Sequence, residues 1–261
     1  MHLKDRTDNT RFAFGENWSD YAKTVDERTL DEAKAGLRKL LPDGFDPKGK
    51  SFLDIGCGSG LHSIAAHCLG FGPITAVDYD ENSVATTKAL AGRFHAPIIC
   101  FRDDILDTKL SGQFDVVYSW GVLHHTGDMA RAIRIARSFV KHDGLLIVAI
   151  YRKSRFCNIW RVIKRTYCRS PSLMKRTAEF GFYSVLRLAH ATRGNRDYNQ
   201  RGMNLWNDAV DWLGGYPYQS ATPDEIAEIV GRVPLRSFNT DKAPVLGLLG
   251  TGCAEYTFEA G

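Results

Sequence analysis

The sequence predicts an α/β fold, a doubly wound and mostly parallel sheet, and three observations predict it. Short apolar runs alternate with amphipathic helical stretches between residues 51 and 150, the arrangement that lays helices on both faces of a parallel sheet. The first apolar run, FLDI (Phe52 to Ile55), breaks into a glycine-rich turn, GCGSG (Gly56 to Gly60). The second, ITAVD (Ile74 to Asp78), ends on a carboxylate eighteen positions after Gly60, a spacing typical of a nucleotide cradle at the ends of two neighbouring strands.

Taken in chain order, RFAFGENWSDY (Arg11 to Tyr21) is aromatic and reads as irregular. A helix follows from Thr29, where Thr29 and Glu32 read as a capping box, and Pro42 closes it. Residues 1–50 are therefore expected to form an N-terminal cap. Strand 51–55 leads into helix 60–69, which stops at Gly70; then come strand 74–78, helix 81–94 and strands 97–101 and 114–119. Helix 128–142, stopped by Gly144, and strand 145–150 complete a core of residues 51–150. Residues 151–219 interrupt the alternation with basic, aromatic helical segments and are expected to form a helical lid. Thr222 and Glu225, with Pro223 in the first turn, open a further helix. Strands near 234–239 and 253–259, joined by a glycine-rich loop, should pair antiparallel, so that residues 220–261 complete the sheet.

Composition narrows the class. The chain has 261 residues, 44% hydrophobic and 25% charged, enough for one large domain with an insertion. No apolar run approaches the roughly 18 residues of a membrane span, and MHLKDRTDNTR lacks an apolar signal core, so a cytoplasmic location is expected. Six cysteines are scattered without C-x-x-C pairs, which suggests neither a disulfide scaffold nor a zinc site, and no metal is expected.

The chemistry follows from the glycine turn. Gly56, Gly58 and Gly60 permit a left-handed backbone and close approach of a ligand, while the following helix aims its free N–H groups at an anionic group. An acid in the position of Asp78 accepts hydrogen bonds from ribose hydroxyls, so the ligand is expected to carry an adenosine. The turn is G-x-G-x-G with Asp54 two places before Gly56, tighter than the G-x-G-x-x-G of dinucleotide folds. This pattern resembles motif I of the class I S-adenosylmethionine (SAM) methyltransferases. The resemblance implies a Rossmann-like, seven-stranded sheet with an antiparallel last strand, and SAM as cofactor with S-adenosylhomocysteine as product. It places Asp54 near the methionine amino group, the turn Gly56, Cys57, Gly58 and Gly60 beneath the cofactor, and Asp78 with Tyr79 at the ribose. Asp104, or Asp103 in its stead, falls where the family reads the adenine amino group, and Ile105 where it covers the ring.

The segment FDVVYSWGVLHHTGDM resembles the stretch after strand four of small-molecule methyltransferases, where Ser119 and Trp120 would border the methionine. His125 matches the histidine of a Glu-His pair in polyprenyl-hydroxyphenol O-methyltransferases, with His124 standing in place of the glutamate; that departure weakens any metal role. A hydroxyl nucleophile gains roughly 10²- to 10⁴-fold from a base, and an imidazole suits that task. His125 is the first candidate base and His124 the second; the competing reading is that these rings pack the loop or bond its backbone.

Residues 151–201 hold thirteen Lys or Arg against Glu179 and Asp197, a local balance of +11 in a chain of +4. That charge, interleaved with aromatic residues, fits an anionic acceptor, an acidic membrane surface or RNA, or is a solvated face. GMNLWNDAVDWLGGYPY (Gly202 to Tyr218) resembles a stretch in a bacterial subgroup of methyltransferases that share FxFGxNW and GxGCxEYxF. Trp18, Trp206, Asp208, Trp212, Tyr216 and Tyr218 are the candidate pocket residues, with ordinary core packing as the alternative for the aromatics. The leading reading is methyl transfer to a hydroxyl of a small or lipid-linked molecule. An RNA methyltransferase is disfavoured by the lack of an NPPY-type tetrad, and a non-catalytic SAM-binding or interaction protein is the other alternative.

Overall fold

The computed structural model describes residues 14–191, 205–238 and 252–261. Helices α1 (Phe14–Ala22) and α2 (Glu27–Leu40) precede β1 (Phe52–Ile55), α3 (Leu61–Cys68), β2 (Ile74–Asp78), α4 (Glu81–Arg93) and β3 (Ile98–Arg102). Next come β4 (Phe114–Trp120), α5 (Met129–Ser138), β5 (Val140–Tyr151), α6 (Cys157–Arg169), α7 (Ser172–Ala191) and α8 (Leu205–Gly214). The chain closes with α9 (Pro223–Val230), β6 (Arg236–Phe238) and β7 (Cys253–Glu259). Residues 1–13, 192–204 and 239–251 lie outside the description. With them go the start of the aromatic N-terminal motif, Arg193, Arg196, Asp197 and Arg201 of the basic stretch, and the glycine-rich loop before β7.

The seven strands form one sheet in the order β3-β2-β1-β4-β5-β7-β6. The first five run parallel, and β7 pairs antiparallel with both β5 and β6. Strand β1 is buried along its whole length because it lies between β2 and β4, with Phe52 opposite both Ile74 and Val116. The chain winds outward from β1 to β3 and then returns to the other side of β1 at β4, so the strand order reverses there. A crevice opens at the carboxyl ends of strands at such a reversal, and it brings Gly56–Gly60 beside Ser119–His125. One face of the sheet packs Val117, Leu146 and Val148 with Ile133 and Ala136 of α5 and Ile226 of α9. The other packs Phe52, Val116 and Ile147 with Leu37 and Leu40 of α2.

The structure revises three local expectations. The aromatic N-terminal segment is helical from Phe14, since α1 lies on α4 and Tyr21 is buried with Ile64 and Leu90. The second helix is capped by Asp26, whose Oδ1 accepts from both the backbone N–H and the hydroxyl of Thr29, so Thr29 lies inside the helix and Glu32 meets Arg28 at 3.2 Å. Helix α5 ends at Ser138 because Val140 already pairs with Phe114; β5 is therefore longer than 145–150 and bends at Asp143, whose φ is 61°. The Thr222–Glu225 capping box with Pro223 in the first turn forms as expected. Among the described residues, no helix is long and apolar enough to cross a membrane.

Candidate active site

The glycine turn is fixed from below and crowded from above. The N–H groups of Gly56 and Cys57 both donate to the carbonyl of Val77, at 2.7 and 3.1 Å. All three glycines have φ between 56° and 82°, a region costly for side-chain-bearing residues. A Cβ on Gly56 would meet Val122 at 2.4 Å, and one on Gly58 would meet the Trp18 ring at 3.0 Å. Gly60 caps α3 without a side-chain acceptor, so the helix keeps backbone donors directed at the turn.

Two carboxylates anchor this turn. Asp78 accepts the N–H of Gly58 at 3.0 Å and that of Asp80 at 2.9 Å, and burial pushes its carboxyl up to about 6. Asp54 is buried beneath the turn and accepts the Ser63 hydroxyl at 2.6 Å; burial pushes it to about 7. Asp103 follows from the same frame, since its N–H donates to the carbonyl of Asp78. Asp104 caps the short turn Ile105–Asp107, and Ile105 is buried against the α5 face of the core. Tyr79 is exposed, with the Arg102 guanidinium over its ring at 5.4 Å.

On the β4 side, Ser119 is fully buried and donates to the carbonyl of Ile55 at 2.9 Å. Trp120 turns toward β7, where its indole N–H donates to Glu255 at 2.8 Å. The two histidines differ sharply. His124 has no exposure, neither ring nitrogen has a hydrogen-bond partner among the described residues, and its ring lies 3.9 Å from that of Tyr151. Burial holds it neutral, well below the usual imidazole range. His125 is half-buried, and its Nδ1 lies 2.7 Å from the carbonyl of Pro217. A carbonyl only accepts, so Nδ1 carries the proton and Nε2 keeps its lone pair. Burial, reinforced by the nearby Lys164 charge, lowers His125 to about 3.

The candidate pocket residues fall in three places. Trp18 lies on the glycine turn, edge-on to Tyr21. Trp212 and Tyr218 join Tyr151 and Trp160 in a buried aromatic cluster behind the histidines, with the Tyr218 hydroxyl on Cys157 at 3.4 Å. Tyr216 is buried in the segment that crosses His125, whereas Trp206 is 41% exposed and stands edge-on to Tyr183. Asp208 is half-buried on α8. The neighbouring Gly215 is required by contact, because a Cβ there would meet His125 Cε1 at 2.6 Å.

Sequence reasoning missed Lys164, Asn17, Asn207 and Asp211. Lys164 is wholly buried, donates to the Trp212 carbonyl and lies 3.9 Å from that ring's centroid; burial lowers it to about 7. Its signal was a lysine at the inward i+4 position between Trp160 and Tyr167. Asn17 donates to Asp211 at 2.7 Å and pairs its amide with that of Asn207, also at 2.7 Å, while the N–H of Gly15 donates to Asp80 at 3.1 Å. Helix α1 thereby bridges the N-cap of α4 and α8.

A family model described as a methyltransferase domain matches residues 25–212. The ubiquinone biosynthesis O-methyltransferase of Caulobacter vibrioides is 32% identical over 110 residues, 41% of this chain and 43% of that protein. Its counterpart in Neisseria meningitidis serogroup C is 29% identical over 143 residues, 53% of this chain and 59% of that protein. The chain thus spans about half the length of the curated relatives it matches. Among solved structures, the magnesium protoporphyrin IX methyltransferase of Synechocystis PCC 6803 with bound S-adenosylhomocysteine aligns over 90% of this chain and 83% of its own. Its TM-score is 0.53 at 17% identity, a likeness of fold.

Proposed function

The chain belongs to the methyltransferase-domain family, and from that premise we propose that it transfers a methyl group from SAM to a hydroxyl of a small or lipid-linked molecule. The turn fits the cofactor on three counts: left-handed glycines that tolerate no Cβ, a helix N-terminus whose Gly60 cap brings no side-chain acceptor, and a carboxylate bound to the turn's own backbone. Asp54, Gly56, Cys57, Gly58 and Gly60 would hold the methionine end, with Ser119 and Trp120 at its border. Asp78 and Tyr79 would hold the ribose, and Asp104 and Ile105 the adenine. SAM when bound supplies a methyl carbon on a sulfonium, an activated group with a neutral leaving thioether.

His125 carries the acceptor side of this reading. Its Nδ1–H is committed to Pro217, so Nε2 is the atom that takes the hydroxyl proton. With its pKa near 3 the ring is neutral, and hence competent to accept, throughout the physiological range. A general base is most effective with a pKa near the working pH, so a ring this weakly basic serves only a proton that leaves late, after the acceptor oxygen has begun to bond carbon. Trp18 on the glycine turn and Tyr216 in the segment crossing His125 would flank an acceptor, Trp212 and Tyr218 would back the histidines through Tyr151, and Asp208 and Trp206 would stand farther off on α8. Residues 1–50 act as a cap, 151–219 as a lid, and 51–150 with 220–261 as the cofactor-binding core. The hydroxyl assignment draws support from the ubiquinone biosynthesis O-methyltransferases among the relatives.

Calorimetry and turnover test both halves. Asp78→Ala should weaken SAM binding at least tenfold. His125→Ala should bind SAM as the wild type does yet lose about 10²- to 10⁴-fold in kcat toward phenolic and lipid-linked hydroxyls. Unchanged affinity in the first variant would sink the ribose assignment, and full turnover in the second would sink the base.

A further inference from the structure

Helices α6 and α7 form an antiparallel hairpin whose inner faces meet. The Tyr167 hydroxyl donates to Glu179 at 2.6 Å, Lys175 lies over the Tyr167 ring, and Trp160 stands edge-on to Phe182 at 5.9 Å. The inward stripe of α6 is Cys157, Trp160, Lys164 and Tyr167, at the i, i+3, i+7 and i+10 spacing of a buried helix face. The exposed side of α6 is mixed: Asn158, Arg165 and Arg169 lie opposite the buried stripe, and an apolar flank runs beside them. Ile159, Val162 and Ile163 are exposed on α6, Val162 by 64%, and Leu173, Phe180 and Leu188 are exposed on α7, Phe180 by 67%. Eight of the fourteen large apolar side chains exposed among the described residues lie on these two helices. Exposed arginines flank them at positions 155, 161, 165 and 169 on the α6 side and at 176 and 187 on α7. Glu179, the only acidic side chain from residue 151 to 191, is turned inward to Tyr167.

We propose that the outer face of the α6–α7 hairpin docks on an anionic lipid bilayer, the apolar side chains entering the headgroup boundary and the arginines meeting lipid phosphates. Apolar side chains rimmed by guanidinium groups on the outer face of a helix pair match the chemistry of an interfacial membrane contact. A second copy of the chain fits poorly, because a two-fold contact would bring the arginine set against itself. RNA would use the charge and leave the apolar stripe exposed. The surface lies on α6 and α7, within the proposed lid. The docking itself does not depend on which group is methylated.

Cosedimentation of the full chain with vesicles tests it. The wild type should pellet with phosphatidylglycerol-containing vesicles at low salt and stay in solution with phosphatidylcholine alone. Val162→Gln with Phe180→Gln should lower binding about tenfold, and Arg161→Gln or Arg176→Gln about fivefold each. Helical content and SAM affinity should remain at wild-type levels in all of them. Calorimetry with SAM reads the methyltransferase assignment separately, so failure of one reading is distinguishable from failure of the other. The proposal is overturned if the wild type ignores anionic vesicles, if the glutamine variants bind them equally well, or if the apolar pair of substitutions instead dissociates a dimer. Salt-sensitive RNA binding without vesicle binding would also overturn it.

Discussion

Asp54 shows how one residue couples the candidate site to pH. An unfolded aspartate ionises near 3.8, whereas the buried Asp54 keeps its proton up to about 7. The stability this contributes is fully present below pH 4 and is lost as pH rises through 7. Asp78, raised to about 6, and Asp211, raised to about 8, act in the same direction. Without cofactor, each of these three acids lowers the unfolding free energy as pH rises from 4, by up to about 1.4 kcal/mol per pH unit. The lowered His124 and His125 raise it over the same rise in pH below 6.5, so the acid contribution is read as a difference between wild type and variant. Asp54→Asn keeps an acceptor for the Ser63 hydroxyl and cannot ionise, so the wild type should lose stability relative to it as pH rises from 4 to 7. Urea denaturation at pH 4, 5.5 and 7 measures this, and parallel curves for the two proteins would remove Asp54 from the account. Both Asp54 and Asp78 were legible in the sequence, because their distances from the glycines are set along one strand-turn unit. Lys164 was legible only as an oddity, since its contacts come from Trp212, 48 positions away.

At the level of elements, α1 is the segment that sequence reasoning read as irregular. FGENWSDYA is short and carries an internal glycine, which makes it a poor helix on local grounds. What holds it is distant: Asp80 on one side, and Asn207 and Asp211 on the other. Asn17→Ala removes the donor from half-buried Asp211 and the partner amide from Asn207. A loss of about 1–3 kcal/mol is expected, with faster amide exchange in α1 and unchanged exchange in β1. Protection in α1 equal to the wild type would show that the clamp does not hold the helix. The end of α5 failed for a related reason: Val140 and its neighbours carry no local stop signal before Gly144, and only pairing with Phe114 pulls them into β5.

Across the whole molecule, the antiparallel β7 closes the sheet between β5 and β6 and brings Tyr256 and Phe258 into the core against the α5 and α9 side. Phe258→Ala should cost about 3–5 kcal/mol by leaving a cavity there, read as a lower urea midpoint with an unchanged slope; a shift below 1 kcal/mol would mean that β7 is peripheral to the core. The sequence by itself determined the strand and helix alternation, the glycine turn with its two acids, and the antiparallel ending, because periodicity and turn chemistry act over a few neighbouring residues. The tertiary structure alone decided that His124 packs against Tyr151 while His125 keeps a lone pair at Nε2, that Lys164 is buried among aromatic rings, and that apolar side chains of α6 and α7 stay exposed among arginines. Burial and hydrogen-bond partners are set by contacts between segments 27 to 190 positions apart, and spacing along a single chain carries no record of them.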